Sequence, residues 1–131
     1  MKLEVVTPNG RVLDDEATNI TAPGYLGEFG VLPGHQPALV MLSGGALRYE
    51  NAEGAGLVYI RGGVAQITGD AMLVLADEAL YADDIDRERA ERILQTAIKG
   101  ISEVELLDDS ELHRLSTDRA YGEALLSSAG H

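Results

Sequence analysis

Glycine and proline set the rhythm of this chain, and the rhythm changes once. Up to residue 84, turn signals recur about every eight to twelve residues, the spacing of short strands. They are Pro8-Asn9-Gly10, Asp14-Asp15-Glu16, Pro23-Gly24, Pro33-Gly34, Ser43-Gly44-Gly45, Asn51-Ala52-Glu53-Gly54, Gly62-Gly63 and Gly69-Asp70. From Ile85 there is no glycine until Gly100 and no proline at all. The segments between turns are β-favouring: residues 2–7, 11–13, 17–22, 46–50, 57–60, 64–67 and 72–75. Residues 38–42 are apolar throughout, which predicts a strand covered on both faces. Together they predict an all-β sandwich of about nine or ten short strands before residue 84.

Beyond that point the period becomes helical. Ala90, Ile93, Leu94, Ala97, Ile98 and Ile101 form one apolar stripe. Asp83, Asp84 and Asp86 stand ahead of it, where a helix start favours caps and negative charge. Lys99-Gly100 reads as the stop. Residues 102–109 read as acidic and irregular. Asp108, Asp109 or Ser110 then caps a second helix running to about Leu126, with Leu112, Leu115, Ala120, Ala124 and Leu125 as its apolar set. Residues 127–131 read as a frayed tail. The predicted layout is a β-sandwich over residues 1–84 and a C-terminal antiparallel two-helix hairpin over 85–131. Such a hairpin has little surface of its own to bury, so it must lean on the sandwich or on another protein.

Composition narrows the function classes. With no Trp, one Phe and five Tyr, the core must be aliphatic. The net charge of −12 argues against nucleic acid and anionic lipid as partners. The hairpin is the less acidic part, with 6 basic and 10 acidic residues against 4 and 12 in the sandwich. No Cys is present, which removes disulfides, thiolate catalysis and cysteine metal sites. The start has no apolar leader, and no apolar run approaches the ~20 residues of a membrane span. The expectation is a cytosolic chain unless a partner brings it to a membrane. A free-standing sandwich binding a small ligand or carbohydrate is the alternative, although five scattered tyrosines offer little lining for a pocket. A hydrolase fits less: there is no Gly-x-Ser-x-Gly, and no histidine pair at metal spacing among His35, His113 and His131.

One stretch is specified almost residue by residue: Gly27-Glu28-Phe29-Gly30-Val31-Leu32-Pro33-Gly34-His35-Gln36-Pro37. Pro33-Gly34 suits a type II turn, and Pro37 drives Gln36 toward extended geometry. On chemistry alone this is a hairpin connection holding one carboxylate and one imidazole. As a motif it resembles the signature of the epsilon subunit of bacterial and chloroplast F-type ATP synthases, Gly-Glu-hydrophobic-Gly-hydrophobic-hydrophobic-Pro-Gly-His-x-Pro. Val5-Val6-Thr7-Pro8 resembles the opening strand and turn of that family. Arg61-Gly62-Gly63-Val64-Ala65-Gln66-Ile67 is similar to its Ser-Gly-Gly-x-x-Glu-Val, with Arg and Gln substituted. Met72-Leu73-Val74-Leu75-Ala76-Asp77 is similar to its last sandwich region, and Ile85-Asp86-Arg87-Glu88-Arg89-Ala90 to its Ile/Leu-Asp-x-x-Arg-Ala. The likeness spans residue 2 to about residue 98.

The resemblance implies a sandwich of ten strands and a helical hairpin in a non-catalytic rotor subunit of the central stalk. It implies docking on the gamma subunit, contact with the c-ring, and coupling of the two during proton-driven ATP synthesis. It implies a hairpin that modulates ATP hydrolysis, reaching the beta and alpha subunits, and membrane association only through the complex. That association would be on the cytoplasmic side of a bacterial inner membrane or the stromal side of a thylakoid. Glu28 and His35 fall where the family's loop faces the rotor ring; the other reading of His35 is a local hydrogen bond closing the turn. Asp86 and Arg89 fall where some bacterial members form a regulatory ATP site that steadies the folded-down hairpin. The other reading is that Asp86 caps the helix and Arg89 pairs with it. The family's ATP binders carry a Glu where this chain has Leu80, and arginines on the second helix, for which Arg114 and Arg119 are available. In inhibitory members the second helix meets an acidic lever on beta through basic residues; here Glu111, Asp118 and Glu123 offset Arg114 and Arg119. No catalytic residue and no metal site are implied.

Overall fold

The computed structural model describes residues 1–103 and 108–129. Eight strands come first: β1 (Lys2–Thr7), β2 (Gly10–Glu16), β3 (Asn19–Gly24), β4 (Gly27–Val31), β5 (Ala38–Asn51), β6 (Gly54–Ile67), β7 (Ala71–Leu75) and β8 (Ala79–Leu80). A single 3-10 turn, Ala82–Asp84, leads to the helices α1 (Arg87–Glu103) and α2 (Asp109–Ala129). The switch from strand to helix falls where the glycine and proline punctuation stops.

The strands hydrogen-bond in the order β2-β1-β7-β6-β5-β3-β4, with β8 alongside β6. Every pair is antiparallel except β1 with β7, which sets Leu3 beside Met72 and Val5 beside Val74. β5 and β6 are each 14 residues long and pair from Ala38–Ile67 to Asn51–Gly54. One half of β6 bonds to β7 and the other to β8, so these long strands belong to both layers of the sandwich. Reading each as two strands, broken at Gly44-Gly45 and Gly62-Gly63, overcounts. Leu42 pairs with Gly63 and Gly44 with Arg61, so the two glycine pairs sit in neighbouring register, where both strands can bend without ending.

The core between the layers is aliphatic, as the shortage of aromatics requires. Leu3, Val5, Leu42, Leu47, Val58, Ile60 and Val74 are fully buried in one cluster. In β1 and β7 the buried positions alternate with half-buried ones, the period of a strand with one face inward. Each such side chain contributes about 1.5–3 kcal/mol through burial. The expectation that residues 38–42 are covered on both faces is not met. Leu42 is buried, but Leu39 is 75% and Met41 53% exposed, because nothing among the described residues covers their side of β5.

α2 packs on β5 and β6, and α1 packs mainly on α2. A Cβ on Gly44 would overlap the carbonyl of Thr117 and come within 2.6 Å of the Tyr121 nitrogen, so glycine lets the helix lie flush on the strand. α1 does not stop at Lys99-Gly100: a Cβ on Gly100 would be 3.0 Å from Leu115 Cδ2, so this glycine serves the helix crossing. Ser102, read as irregular, is therefore helical. Residues 104–107 of that segment lie outside the described residues, as do residues 130 and 131 of the expected tail. Ser127 and Ser128 of that tail are helical. Of the three candidate caps it is Asp108 whose carboxylate accepts from the Glu111 backbone N–H at 2.7 Å and caps α2. Of the expected stripe on α1, only Ala90 and Ala97 are fully buried. On α2 the structure adds Tyr121 and Thr117 to the buried set, and leaves Leu112 40% exposed.

Candidate functional site

Two regions gather the residues singled out in the sequence. The first is the rim formed by the β3–β4 hairpin and the loop into β5. The His35 backbone N–H donates to the Leu32 carbonyl at 3.0 Å, and Gly34 has φ +86°, so Pro33-Gly34 makes the turn its sequence requires. The Gly34 N–H donates to the Gly69 carbonyl at 2.7 Å and ties this loop to the β6–β7 turn. His35 Nδ1 lies 2.6 Å from the Gln36 carbonyl. A carbonyl only accepts, so Nδ1 carries the proton and Nε2 is left for another contact. Glu28 is exposed and 3.9 Å from an Arg48 Nη, an ion pair that adds little stability.

Glu28 and His35 line one cavity of about 760 Å³, together with Tyr25, Leu26, Phe29, Leu39 and Met41. Leu26 is 98% exposed and Tyr25 46%; with Leu39 and Met41 they form a continuous apolar surface bearing a carboxylate and an imidazole. Scattered exposed leucines need no explanation, but a clustered set marks a docking surface. The signal for it lay in residues 38–42, whose unbroken apolar run reads as burial when only the single chain is considered.

The second region joins the helices to the sheet. The Asp86 carboxylate accepts from the backbone N–H groups of Glu88 at 3.0 Å and Arg89 at 3.3 Å, so it caps α1. Arg89 does not pair with Asp86. Its two terminal nitrogens both donate to Glu78, in a fork-to-fork pair. The Tyr121 hydroxyl donates to the same carboxylate at 2.7 Å. Beside them, Arg61 Nε donates to Asp118 at 2.8 Å, and the Arg61 guanidinium lies 5.8 Å from the centre of the Tyr121 ring.

Burial pushes the Glu78 carboxyl up, yet the hydrogen bonds from Arg89 and Tyr121 outweigh it and hold the group below the ordinary carboxylate range. Burial and the same carboxylate push the Tyr121 hydroxyl up, so it remains a donor. The hydrogen bond to Asp118 keeps Arg61 charged in spite of partial burial. Arg61, Arg89 and Arg92 line a cavity of about 380 Å³ with Thr96 and Asp118. Leu80 is half-buried in β8, where it packs beside Tyr59. Arg114 is exposed, and Arg119 pairs with Glu123 at 3.1 Å on the outer face of α2, so neither lines this cavity. Sequence reasoning therefore missed Glu78 and Tyr121. Its one available signal was the arginine at position 61, where the similar motif has a serine.

Among the described residues no group of three His, Asp or Glu side chains could hold a metal ion. His113, far from His35 in the chain, stacks edge-on against Tyr25 with ring centres 4.5 Å apart; His131 lies outside the described residues. Among the described residues no helix is long and apolar enough to cross a membrane.

Known proteins resemble this chain over most of its length. A family model described as the ATP synthase delta/epsilon chain beta-sandwich domain matches residues 1–82. The ATP synthase epsilon chain of Geotalea uraniireducens is 40% identical over 121 residues, 92% of this chain and 88% of that protein. The epsilon chain of Granulibacter bethesdensis is 35% identical over 130 residues, 98% and 96% of the two chains. A chain in the Euglena gracilis mitochondrial ATP synthase (OSCP/F1/c-ring) superposes with a TM-score of 0.70 at 24% identity, covering 98% of this chain and 80% of that one. A chain in the Tetrahymena thermophila mitochondrial ATP synthase central stalk and c-ring gives 0.62 at 18%, covering 95% and 96%. These two likenesses concern the fold alone.

Proposed function

The chain belongs to the ATP synthase epsilon-chain family, a non-catalytic stalk subunit, and from that premise we propose that its sandwich is a docking block between the gamma subunit and the c-ring. The observation that carries this reading is the uncovered apolar rim, with Leu26, Leu39 and Met41 in the open beside Glu28 and His35. An apolar centre with a polar margin suits a protein interface. Leu39 and Met41 take the gamma subunit, while the exposed carboxylate of Glu28 and the free Nε2 of His35 meet polar loops of the ring. Torque then passes through the rigid sheet during ATP synthesis, and the chain reaches the membrane only through the complex, on its cytoplasmic or stromal side.

Within this reading, residues 1–84 bind the rotor and residues 85–131 regulate. The hairpin modulates ATP hydrolysis by leaving the sheet for the alpha and beta subunits. The cavity beside Asp86 and Arg89 is an anion site for regulatory ATP, with Arg61 and Arg92 as further cations. The cap made by Asp86 orients the first turn of α1 in this arrangement.

The test is capture of the gamma subunit by the full-length chain. Wild type should bind at micromolar concentration or tighter. The double variant Leu39→Asp with Met41→Asp, at two exposed positions, should keep its fold and lose binding. Equal binding by wild type and variant would refute the assignment of this face.

A further inference from the structure

Among the described residues Glu78 is the one side chain that touches both helices through charge-assisted bonds. It leaves the sheet between β7 and β8, takes both terminal nitrogens of Arg89 on α1, and accepts the hydroxyl of Tyr121 on α2. Tyr121 is fully buried, and its phenol needs a polar partner there. The Arg89 side chain opens on the cavity that Arg61 and Arg92 also line. A guanidinium presents one fork that fits a carboxylate or a phosphate, and it cannot give the same two N–H groups to both.

We propose that Glu78 is an internal anion that latches the hairpin onto the sheet, occupying at Arg89 the place a nucleotide phosphate would take. It deepens the regulatory reading given above and rests on it for the nucleotide alone. The latch holds the hairpin down with no nucleotide bound, and phosphate groups must displace Glu78 to reach Arg89. Holding the hairpin and admitting nucleotide are therefore opposed in this chain.

The docked state is read by native-state trypsin cleavage at Arg114 and Arg119 on α2, which requires the helix to open. Glu78→Gln keeps the side chain's size and removes its charge. It should speed cleavage about tenfold, a modest value because Arg89 is partly in water. Tyr121→Phe, which keeps the ring, should speed it by a smaller factor. The melting temperature of the sheet in both variants serves as the check on folding. Calorimetric titration of ATP should give tighter binding to Glu78→Gln than to wild type, and ATP should slow cleavage of that variant. Cleavage of Glu78→Gln at the wild-type rate overturns the latch. ATP binding equally to both proteins overturns the competition at Arg89. Faster cleavage with no ATP binding by either protein supports the latch and removes the nucleotide reading of the cavity.

Discussion

The sheet and the hairpin bury side chains of different kinds. Between Leu3 and Ala76 the buried cluster is aliphatic apart from Tyr49, and it has no ion pair within it. Where the hairpin meets the sheet, the buried cluster is only Tyr59, Ala90, Tyr121 and Leu125, bordered by two ion pairs. An aliphatic core opens only by exposing all of its surface at once. A smaller buried cluster bordered by charged groups exposes less, and water satisfies its polar groups when it parts. The proposed coupling and regulatory roles require such a pairing of a stiff unit with a separable one.

Weakening each unit in turn should give separate effects. Leu42 is fully buried between the layers. Leu42→Ala should cost about 2–5 kcal/mol and lower the unfolding midpoint of the whole protein in denaturant melts. Gly44→Ala should act on the hairpin instead. Its methyl meets the backbone of α2, so seating should lose about 1–3 kcal/mol while the sheet's midpoint stays put, measured by near-UV signal against strand circular dichroism. If Gly44→Ala melted the sheet as well, the two units would be one.

Acid should loosen the hairpin first. The folded Glu78 carboxyl lies below its unfolded value, so its contribution is complete above the unfolded carboxylate pKa of about 4.3 and is lost as pH falls through the folded value. Trypsin is inactive there, so amide line widths on α2 are the readout. Wild type should show a step below the unfolded carboxylate value that Glu78→Gln lacks. The smallest effect belongs to the cap: Asp86→Ala should cost about 1 kcal/mol and fray only the first turn of α1, seen in its amide exchange.

What could be read from the sequence was what neighbouring residues decide. The turn at Pro33-Gly34, the caps at Asp86 and Asp108, and the change from strand to helix near residue 84 are local, and all appear as expected. Contacts made across the fold could not be read. Arg89 has Asp86 three residues away, and only the return of β8 along β6 brings Glu78 closer to it. Tyr121 stands outside the apolar set read for the second helix, and its hydroxyl is satisfied by a residue 43 positions earlier. Residues 38–42 misled for another reason. Their apolar character matches burial, and the chain by itself does not bury Leu39 or Met41.

Native-state hydrogen exchange tests the separation of the two units most directly. The amides of α2 should exchange through an opening several kcal/mol below global unfolding, with β1, β5, β6 and β7 exchanging only on global unfolding. If α2 and these strands exchange with the same free energy and the same denaturant dependence, the hairpin is part of the rigid block and the account is wrong.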